Sequence, residues 1–369
     1  QAMNHAMGPP EIVMPKFISR QPDCQMGCRC GPLQRRYGIM LYLSYADTER
    51  LDLRMTDVVP AIEEAFRRVG NGQAVVAPRV RVVHPPLEKN SMGKGRPWVR
   101  DLRIIPGAVE GIGYGVRLGT SLRRQAGGVI LVLFDWETME LAALISDHLV
   151  HAIRSTAPCG VMAKYLALQG ASTLAVIGSG RLARWAAEAV CAVRPIRELR
   201  VWSPTPAHRM ECAEHLQRRL GASIEVRAVE SNEAAIRGAE IVTTATKSLE
   251  PVMKGEWLAP GCTVLSNTPE EVDQESFLRG SIVTVYNDGI LSHVPPYHSL
   301  VELVESGKLR EADFSTELSD IVAGKIPGRT RPDEIFIGLN PAFGILDAAT
   351  AEFVYRRAKA MGVGTELEE

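Results

Sequence analysis

An apolar segment that leads into a glycine-rich turn constrains this chain more than any other passage. Residues 172–177 predict a buried strand, and the pattern Gly178-x-Gly180-x-x-Ala183 follows at the start of a helix. The first glycine permits a tight turn, the second lets the backbone approach a diphosphate, and Ala183 lets the helix pack closely on the strand. Free N–H groups and the helix dipole would hold the phosphates. The passage therefore predicts a nicotinamide dinucleotide site.

The segments after this turn continue the alternation of helix and strand. A helix is expected over 182–193, and strands are expected over 198–203, 224–229 and 240–245. Strands that alternate with helices are typical of a doubly wound parallel sheet. This context favours a Rossmann-type α/β fold over a glycine turn in some other parallel sheet.

Length and composition narrow the class of protein. The chain has 369 residues, enough for about two domains. Its 42 basic and 43 acidic residues give a net charge of −1, which offers no general attraction to nucleic acid or to an anionic membrane. No apolar run approaches the roughly 18 residues that a membrane span needs, and residues 1–8 lack the features of a signal peptide. We therefore expect a cytoplasmic protein with small-molecule partners and neither nucleic acid nor membrane.

The seven cysteines give little sign of a metal centre. Four lie in apolar patterns, where packing in a core is the better explanation. These four are Cys159, Cys191, Cys212 and Cys262. The other three, Cys24, Cys28 and Cys30, form a cluster in a polar arm, but no nearby Cys or His supplies a fourth ligand. We predict a flexible arm over 1–37 and no metal site.

A second, α+β pattern surrounds the dinucleotide-binding segment. Strands are expected over 38–44, 80–83, 113–118 and 129–134, and helices over 55–69 and 146–168. The dinucleotide-binding domain is expected over 169–330. A final helix over 343–362 is too long and apolar to be a tail, so we expect it to pack back on the first domain. That domain would then be discontinuous, over 38–168 and 331–369.

Several passages between residues 40 and 367 together resemble the ornithine cyclodeaminase/mu-crystallin family. They are Leu41-Tyr-Leu-Ser44, Ala77-Pro-Arg79, Leu133-Phe-Asp135-x-Glu137-Thr138, His151-Ala-Ile-Arg154-Ser-Thr-Ala157, Val176-Ile-Gly-Ser-Gly180, Thr244-Ala-Thr246, Glu256-Trp-Leu-x-Pro-Gly261 and Gly362-Val-Gly-Thr-Glu366. The resemblance implies that the first domain binds the substrate and builds a homodimer. It also implies an active site in the cleft between the domains, with chemistry on amino or imino acids and a bound NAD(P).

Three arginines match positions where the family places basic substrate-binding residues. An α-amino acid carries a carboxylate, which a planar guanidinium holds through two parallel charge-assisted hydrogen bonds. Arg154 lies in an apolar helix pattern, where a solvated charge is unexpected, whereas Arg79 and Arg117 are also open to a surface explanation. A lysine is usual in the family at the position of Arg117. We predict substrate-binding roles for all three, with Arg117 also a catalytic residue that contacts the polar head of the substrate.

The second departure from the family concerns proton chemistry. The family's cyclodeaminases carry an aspartate where this chain has Asn267, and an amide cannot act as a general base at neutral pH. Asn267 can still orient a substrate or a water, so we predict that it is catalytic in this sense. Glu270 and Glu271 could supply a carboxylate, but both are expected to open a helix, where an acidic first turn is the simpler explanation.

These departures argue against ornithine cyclisation and leave hydride transfer possible. A branch that resembles N-(2-amino-2-carboxyethyl)-glutamate dehydrogenase also lacks the aspartate, and Asn340-Pro-Ala-Phe-Gly-Ile-Leu-Asp347 is closer to that branch. Several arginines would suit a substrate with more than one carboxylate. His293 and His298 rank below Asn267 as acid/base candidates because nothing in the sequence orients them.

The residues at the end of the second strand of the dinucleotide fold indicate whether NAD or NADP is bound. NAD enzymes usually place an acid there, but this chain has Ser203 and Thr205, with Arg209 nearby to meet a 2′-phosphate. NADP is therefore favoured, with NAD as the alternative. The expected cofactor-binding residues are Gly178, Gly180, Arg181, Leu182, Ala183, Ser203, Thr205, Arg209, Thr244, Ala245, Thr246 and Ser266.

The sequence thus predicts an NAD(P)-dependent oxidoreductase of amino-acid metabolism that acts on a C–N bond of an amino acid, an imino acid or an amino-acid conjugate. Two other functions stay open: an ammonia-eliminating cyclodeaminase, and a non-catalytic, mu-crystallin-like protein that binds NADPH and a small molecule.

Overall fold

Two β-sheets organise the described part of the chain. The computed structural model describes residues 38–87, 98–120, 129–268, 270–287, 290, 297–341 and 343–368. Within it, residues 38–369 form one compact unit. The predicted arm over 1–37, with Cys24, Cys28 and Cys30, lies outside the described residues, and so does His293.

The described strands, in chain order, are β1 (Ile39–Leu43), β2 (Ala74–Val76), β3 (Val80–Leu87), β4 (Trp98–Val109), β5 (Gly113–Thr120), β6 (Val129–Phe134), β7 (Leu141–Ser146), β8 (Thr173–Ile177), β9 (Glu198–Trp202), β10 (Glu225–Ala228), β11 (Ile241–Thr244), β12 (Thr263–Ser266), β13 (Ser281–Thr284), β14 (Phe336–Leu339) and β15 (Thr365–Glu368). The described α-helices are α1 (Tyr45–Arg50), α2 (Met55–Gly70), α3 (Asp147–Leu166), α4 (Arg181–Cys191), α5 (Pro206–Leu220), α6 (Asn232–Ile236), α7 (Gln274–Arg279), α8 (His298–Glu305), α9 (Leu318–Val322) and α10 (Gly344–Met361). Two 3-10 turns lie at Gly255–Trp257 and Glu311–Phe314.

The second sheet is parallel throughout and has the order β10-β9-β8-β11-β12-β14-β13. The strand order reverses between β8 and β11, and ligands of doubly wound sheets bind in the crevice at such a point. Buried Val, Ile and Leu side chains dominate these strands, as expected where helices cover both faces. The predicted Rossmann-type sheet is confirmed.

The first sheet is mixed, with the order β15-β1-β7-β6-β5-β4-β2 and β3 paired to β4. All its neighbours are antiparallel except β1 and β7. Because β15 pairs with β1, the last described strand lies in the same sheet as the first described strand. The preceding helix α10 packs on β4, β5 and α2, as predicted for the final helix.

Glycines let α10 approach the first sheet at backbone distance. An added Cβ at Gly107 would lie 2.5 Å from the carbonyl carbon of Gly344, and one at Gly115 would overlap the backbone of Ala348. No other residue type fits this contact without a shift of the helix. The close approach brings the side of α10 that carries Asp347 onto the inner face of β5.

The structure differs from expectation at several elements. Residues of β14 lie C-terminal to the expected domain boundary at 330, yet this strand is part of the second sheet. Strand β4 was not predicted because Pro106 and several charges interrupt its apolar alternation. Strand β7 is a further strand that the sequence does not predict, because its short apolar run leads directly into α3 and hydrophobic periodicity alone does not identify it.

Candidate active site

The carboxyl ends of the second sheet bring most of the predicted site residues to one edge. Gly178 follows β8, Ser203 follows β9, Asn267 follows β12 and Asn340 follows β14, while Thr244 ends β11. Since all these strands run in the same direction, their ends meet on one side of the sheet. This edge contacts the middle of α3, where Asn267 accepts from Cys159 and Asn340 donates to the Ser155 carbonyl.

The turn after β8 has the geometry that a dinucleotide requires. Gly178 has φ of +121°, and an added Cβ would overlap the carbonyl oxygen of Ala245. Gly180 is the N-cap of α4, no side chain caps the helix, and an added Cβ at Gly180 would meet nothing within 4 Å. The N–H groups of the first turn are therefore open to an anion, with backbone room for it to approach. Ala183 is fully buried against the sheet.

The first residues of α4 border a cavity of about 570 Å³. Arg181 is half-buried, and burial lowers the pKa of its guanidinium, with Tyr45 and Asp147 opposing the shift. Leu182 is half-buried against the core. The cavity extends from Ser179 along α4 and is lined there by Arg184, Trp185 and Glu188. It leaves room beside the turn that would bind the phosphates of a dinucleotide. The arginines predicted to bind the substrate do not line it.

A buried carboxylate joins the ends of β11 and β12. Glu271 accepts hydrogen bonds from Thr244 Oγ1 at 2.7 Å, from the backbone N–H of Thr246, and from the backbone N–H of Thr268 at 3.1 Å. The expectation that Glu270 and Glu271 open a helix is wrong, because α7 begins at Gln274 and Asp273 caps it. Both acids are buried, and burial raises the pKa of Glu271.

Glu271 thereby fixes two loops in which cofactor contacts were predicted. The Ala245 N–H donates to the Ile177 carbonyl at 2.9 Å, and Ser266 Oγ donates to the Thr268 carbonyl at 2.9 Å. In the sequence, Glu271 has the simpler explanation of an acidic residue at the start of a helix. Its role was not predictable there, because the threonine hydroxyl and the backbone N–H groups that it accepts from come together only in the folded chain.

At the end of β9 the polar groups bind one another. Ser203 is buried and its hydroxyl lies 3.4 Å from the Thr205 carbonyl, whereas Thr205 itself is exposed. Arg209 is buried, donates to the Ser203 carbonyl at 3.3 Å, and forms an ion pair with Glu230. The strand end lacks an acid, as predicted, but Glu230 from the loop after β10 reaches the arginine assigned to the 2′-phosphate.

The predicted substrate arginines lie at the heart of the first domain. Arg117 on β5 and Arg154 on α3 are both 2% exposed, so a surface role for either is wrong. Arg117 Nε donates to Asp147, the first residue of α3. Arg154 Nε lies 3.0 Å from Asp347 Oδ1 on α10. Arg79 precedes β3 and is half-buried.

Electrostatic coupling shows that these arginines are neighbours. The pKa of Arg79 falls to about 10, mainly through burial and then through repulsion by Arg154, Arg103 and Arg117. Burial raises the pKa of Asp347 to about 6, although Arg154 and Arg117 oppose the shift. Three buried guanidinium nitrogens of this cluster make no hydrogen bond among the described residues: Arg117 Nη2, Arg154 Nη1, and Arg154 Nε, which has only its ion-pair contact with Asp347. Buried polar atoms in folded proteins normally have a hydrogen-bond partner, so Arg117 Nη2 and Arg154 Nη1, which have no ion-pair contact either, point to a ligand.

Asn267 lies in a network that reaches Arg154. Its Nδ2 donates to the Thr244 carbonyl at 2.9 Å, and its Oδ1 accepts from Cys159 Sγ at 3.2 Å and from Asn340 Nδ2 at 3.0 Å. Asn340 Nδ2 also donates to the backbone carbonyl next to Arg154, at 2.7 Å. The structure therefore connects Asn267 to the arginine cluster. Burial raises the pKa of Cys159 to about 12, so the thiol stays neutral and donates.

Three residues of this network were not predicted for the site. Asp147 and Asp347 are fully buried charges, and Asn340 is 5% exposed. A carboxylate inside an apolar helix pattern is the same signal that identified Arg154, and it applies to Asp347 in Gly-Ile-Leu-Asp-Ala-Ala. Asp147 gave no such signal, because an acid in the first turn of a helix is common.

Other predicted groups lie elsewhere. His298 is exposed at the start of α8, 3.8 Å from Glu270. Cys159, Cys212 and Cys262 are buried free thiols, and Cys191 is a half-buried one. Within the described ranges, no group of three His, Cys, Asp or Glu side chains is arranged to hold a metal ion. Among the described residues, no helix is long and apolar enough to cross a membrane.

The dinucleotide turn, the buried arginines of the first sheet and of α3, and the similar enzymes described next identify an NAD(P)-dependent oxidoreductase that acts on an amino or imino acid. The chain belongs to the ornithine cyclodeaminase/mu-crystallin family, whose model matches residues 41–362. This confirms the family and the enzyme class that the sequence predicted.

Known proteins similar to this chain have related activities. A protein of Rhizobium meliloti (strain 1021) named as a dehydrogenase is 31% identical over 322 residues, which cover 85% of this chain and 94% of that protein. The N-((2S)-2-amino-2-carboxyethyl)-L-glutamate dehydrogenase of Staphylococcus aureus is 29% identical over 247 residues, 66% of this chain and 71% of that enzyme. The structure of Thermococcus litoralis Delta(1)-pyrroline-2-carboxylate reductase in complex with NADH and L-proline matches with 30% identity and a TM-score of 0.77, over 89% of this chain and 100% of that one.

Proposed function

We propose that this enzyme transfers hydride between a nicotinamide dinucleotide and the carbon of a C–N bond, and that Arg117 and Arg154 hold the carboxylate on that carbon. The observation that carries the proposal is that Arg117 Nη2 and Arg154 Nη1 are buried without a hydrogen-bond partner among the described residues. A carboxylate would satisfy both, and each charge-assisted hydrogen bond contributes about 1.5–3 kcal/mol.

The residues present fit a dinucleotide at the turn after β8. Gly178 and Gly180 would admit the diphosphate, Arg181 would add positive charge, and the loops that Glu271 joins would lie against the nicotinamide. When bound, the dinucleotide supplies or accepts the hydride. Asn267 is proposed to orient the reacting end of the substrate from its hydrogen-bonded position beside Thr244 and Asn340.

Proton transfer does not require Asn267 in this proposal. Its amide cannot titrate at neutral pH, and Cys159 beside it is held neutral. An imine in equilibrium with its protonated form can exchange that proton with solvent before or after hydride transfer. The chain's contribution is therefore binding, orientation and charge, which is enough to accelerate hydride transfer by proximity.

A substrate screen tests this function. The pure protein is mixed with NADH or NADPH and with Delta(1)-pyrroline-2-carboxylate or a pair of a 2-oxo acid and an amine. The reverse direction uses L-proline or a secondary amino acid with NAD+ or NADP+. We expect a net change in NAD(P)H absorbance that requires both substrate and protein. Free ammonia from ornithine without net absorbance change would instead support a cyclodeaminase, and tight dinucleotide binding without any turnover would support a binding protein.

We also propose that NADP(H) is preferred over NAD(H). The end of β9 presents Thr205 and the Arg209 guanidinium, but a 2′-phosphate must compete with Glu230 for Arg209. Glu230→Gln should therefore tighten NADPH binding by about 3- to 10-fold and leave NADH unchanged. Fluorescence titration checks this, with Glu225→Gln at the other end of β10 as the control. NADH that binds the wild type more tightly than NADPH would refute the preference.

A homodimer through the outer face of the first sheet completes the proposal. Tyr42, Val116, Val132 and Leu144 form one row across four paired strands, and all are exposed or half-exposed. Val82, further along the same face, is 60% exposed. A contiguous apolar face of this kind is typical of an interaction surface, and a second copy would cover it.

A cytoplasmic location stays a prediction.

A further inference from the structure

Two amide side chains lie together where the carboxyl ends of β12 and β14 meet. Asn267 follows β12 and Asn340 follows β14, and these strands are parallel neighbours. Asn340 Nδ2 donates to Asn267 Oδ1 at 3.0 Å, and the backbone N–H of Asn340 donates to the Ser266 carbonyl at 3.1 Å. The pair therefore lies at the strand ends where a doubly wound sheet binds its ligands.

The partners of the two amides distinguish nitrogen from oxygen in each. Asn267 Nδ2 lies 2.9 Å from the carbonyl oxygen of Thr244. Asn340 Nδ2 lies 2.7 Å from the carbonyl oxygen of Ser155. A carbonyl oxygen only accepts, so each of these amide atoms must be a donor nitrogen. The opposite atom of each amide, Oδ1, is therefore an acceptor.

The two acceptors differ in whether the protein uses them. Asn267 Oδ1 accepts from Cys159 Sγ at 3.2 Å and from Asn340 Nδ2 at 3.0 Å, which occupies both of its lone pairs. Asn340 Oδ1 is buried and accepts no hydrogen bond from the described residues, and the whole residue is 5% exposed. Buried amide oxygens normally have a donor, so Asn340 Oδ1 points to a ligand that donates a hydrogen bond.

The position of Asn340 relative to Arg154 indicates which ligand atom donates. Asn340 Nδ2 binds the carbonyl of Ser155, the residue after Arg154 in α3. Arg154 is proposed to hold the carboxylate of the substrate, and the nitrogen of an α-amino or α-imino acid is bonded to the same carbon as that carboxylate. An acceptor held beside this part of α3 is therefore placed for the substrate nitrogen.

We propose that Asn340 Oδ1 accepts a hydrogen bond from the N–H of the C–N bond that is oxidised or reduced, and that Asn267 acts through Asn340 as a positioning residue. When hydride leaves the carbon for the oxidised dinucleotide, the nitrogen lone pair forms the C=N bond and the nitrogen becomes positive. An amide oxygen aimed at its N–H stabilises that charge. The iminium proton is then lost to solvent. The inference rests on the proposed function and adds the residue that contacts the reacting nitrogen.

Two ligands that differ at one ring position test the contact. L-Proline donates through its ring nitrogen, whereas (S)-tetrahydrofuran-2-carboxylate has an ether oxygen there and cannot donate. Each is titrated by calorimetry into the wild type, Asn340→Leu and Asn340→Asp, all saturated with NADH or NADPH so that no hydride is transferred. Gln217→Leu is the matched control, because the Gln217 amide also donates to backbone carbonyls but lies in the last turn of α5, near the amino ends of the strands.

We expect the wild type to bind L-proline about 10-fold or more tightly than the oxygen analogue. Asn340→Leu should weaken L-proline binding by about 10- to 100-fold and change binding of the analogue by less than about 3-fold, because both ligands keep the carboxylate contacts. Asn340→Asp keeps an acceptor, so it should retain the preference for L-proline. A wild type without this preference, or an equal loss for both ligands in Asn340→Leu, would overturn the contact.

The carboxamide of the nicotinamide is the other N–H donor expected near these strand ends. Its contribution is measured with the reduced 3-acetylpyridine analogue of the dinucleotide, whose acetyl group has no N–H. We expect Asn340→Leu to bind both dinucleotides as the wild type does. Weaker binding of the natural dinucleotide alone would assign Asn340 Oδ1 to the cofactor, and the proposal would be wrong.

Turnover separates failure of this contact from failure of the proposed function. A preference for L-proline that depends on Asn340, in a protein that reduces no imine, would support the contact and refute the proposed oxidoreductase activity. Reduction of Delta(1)-pyrroline-2-carboxylate by a protein whose ligand preference is unchanged in Asn340→Leu would do the reverse.

Discussion

Arg154 is a buried guanidinium that has one protein partner and, in the proposed reaction, one substrate partner. Asp347 lies 3.0 Å from its Nε, which leaves Nη1 for a ligand. Removal of one member of a buried ion pair leaves the other charge uncompensated, at a cost of about 3–5 kcal/mol. A test of the role of Arg154 must therefore separate the loss of substrate contact from the loss of stability.

The first prediction is that Arg154→Gln combined with Asp347→Asn lowers kcat/KM by about 100-fold or more while dinucleotide affinity stays unchanged. Removing both charges avoids the unpaired carboxylate, so the fold is retained, but the substrate loses its charge-assisted bonds. Substrate kinetics and dinucleotide titration are measured on the same preparation. Wild-type kcat/KM in the folded double variant would show that Arg154 does not contact the substrate.

The second prediction concerns the pH dependence of substrate binding. Burial raises the pKa of Asp347 from 3.8 to about 6. Below pH 6 the neutral carboxyl leaves the charge of Arg154 to the substrate, and above pH 6 the carboxylate competes for it. KM should therefore rise as pH rises through about 6, and Asp347→Asn should remove the rise. The same shift contributes stability below about pH 4 that is lost as pH rises through about 6. KM profiles with the same inflection in both proteins would assign the titration to another group.

At the scale of elements, α10 determines where Asp347 lies. The helix approaches β4 and β5 at backbone distance because Gly107, Gly115 and Gly344 have no side chains in the contact. Asp347 then meets Arg154 from α3, so two helices distant in sequence build this ion pair. Helix propensity and periodicity predict α10 itself, but the depth of its packing depends on glycines in other strands.

The third prediction follows from this contact. Gly115→Ala should displace α10 and cost about 1–3 kcal/mol, because its Cβ would overlap the backbone of Ala348. Substrate KM should rise with it, since Asp347 and Arg154 move relative to Arg117. Gly170→Ala is the matched control, because nothing lies within 4 Å of that position. Thermal unfolding and steady-state kinetics measure both effects. A Gly115→Ala protein as stable and active as the control would mean that the helix packs less closely.

At the scale of the whole molecule, the two sheets have different proposed roles. In the proposed reaction, the parallel sheet presents its strand ends to the dinucleotide, and the inner face of the mixed sheet presents Arg117 to the substrate. The outer face of the mixed sheet carries Val116, Val132 and Leu144 in a paired row. One sheet can thus serve the substrate on one side and a second copy on the other.

The fourth prediction tests the second copy. Val116→Glu places a charge in the middle of the outer face and should convert the proposed dimer to a monomer, because burying an unpaired carboxylate is costly. Light scattering during size-exclusion chromatography gives the mass of wild type and variant. Met210→Glu, on exposed α5, should leave the mass unchanged. A wild-type monomer, or a Val116→Glu dimer, would place the interface elsewhere or remove it.

Local patterns in the sequence determine much of this protein. The turn at Gly178 and Gly180 is recognisable because φ of +121° and open backbone space demand glycine wherever the turn occurs. Long amphipathic or apolar helices and the alternation of strands in the dinucleotide fold depend on periodicity within a few residues. Arg154 could be identified because a charge in an apolar helix needs a reason.

Only the tertiary structure decides which charges meet. Three charged residues, Asp147, Asp347 and Arg103, lie on different elements. No local sequence pattern predicts that each of them lies close to one of the arginines assigned to the substrate. Glu271 looks like an ordinary acid before a helix, yet the fold buries it against Thr244 and the loop after β12. The physical reason is that burial and pairing depend on groups brought together from distant parts of the chain, and these alone set the pKa of Asp347 and the open nitrogens of Arg117 and Arg154.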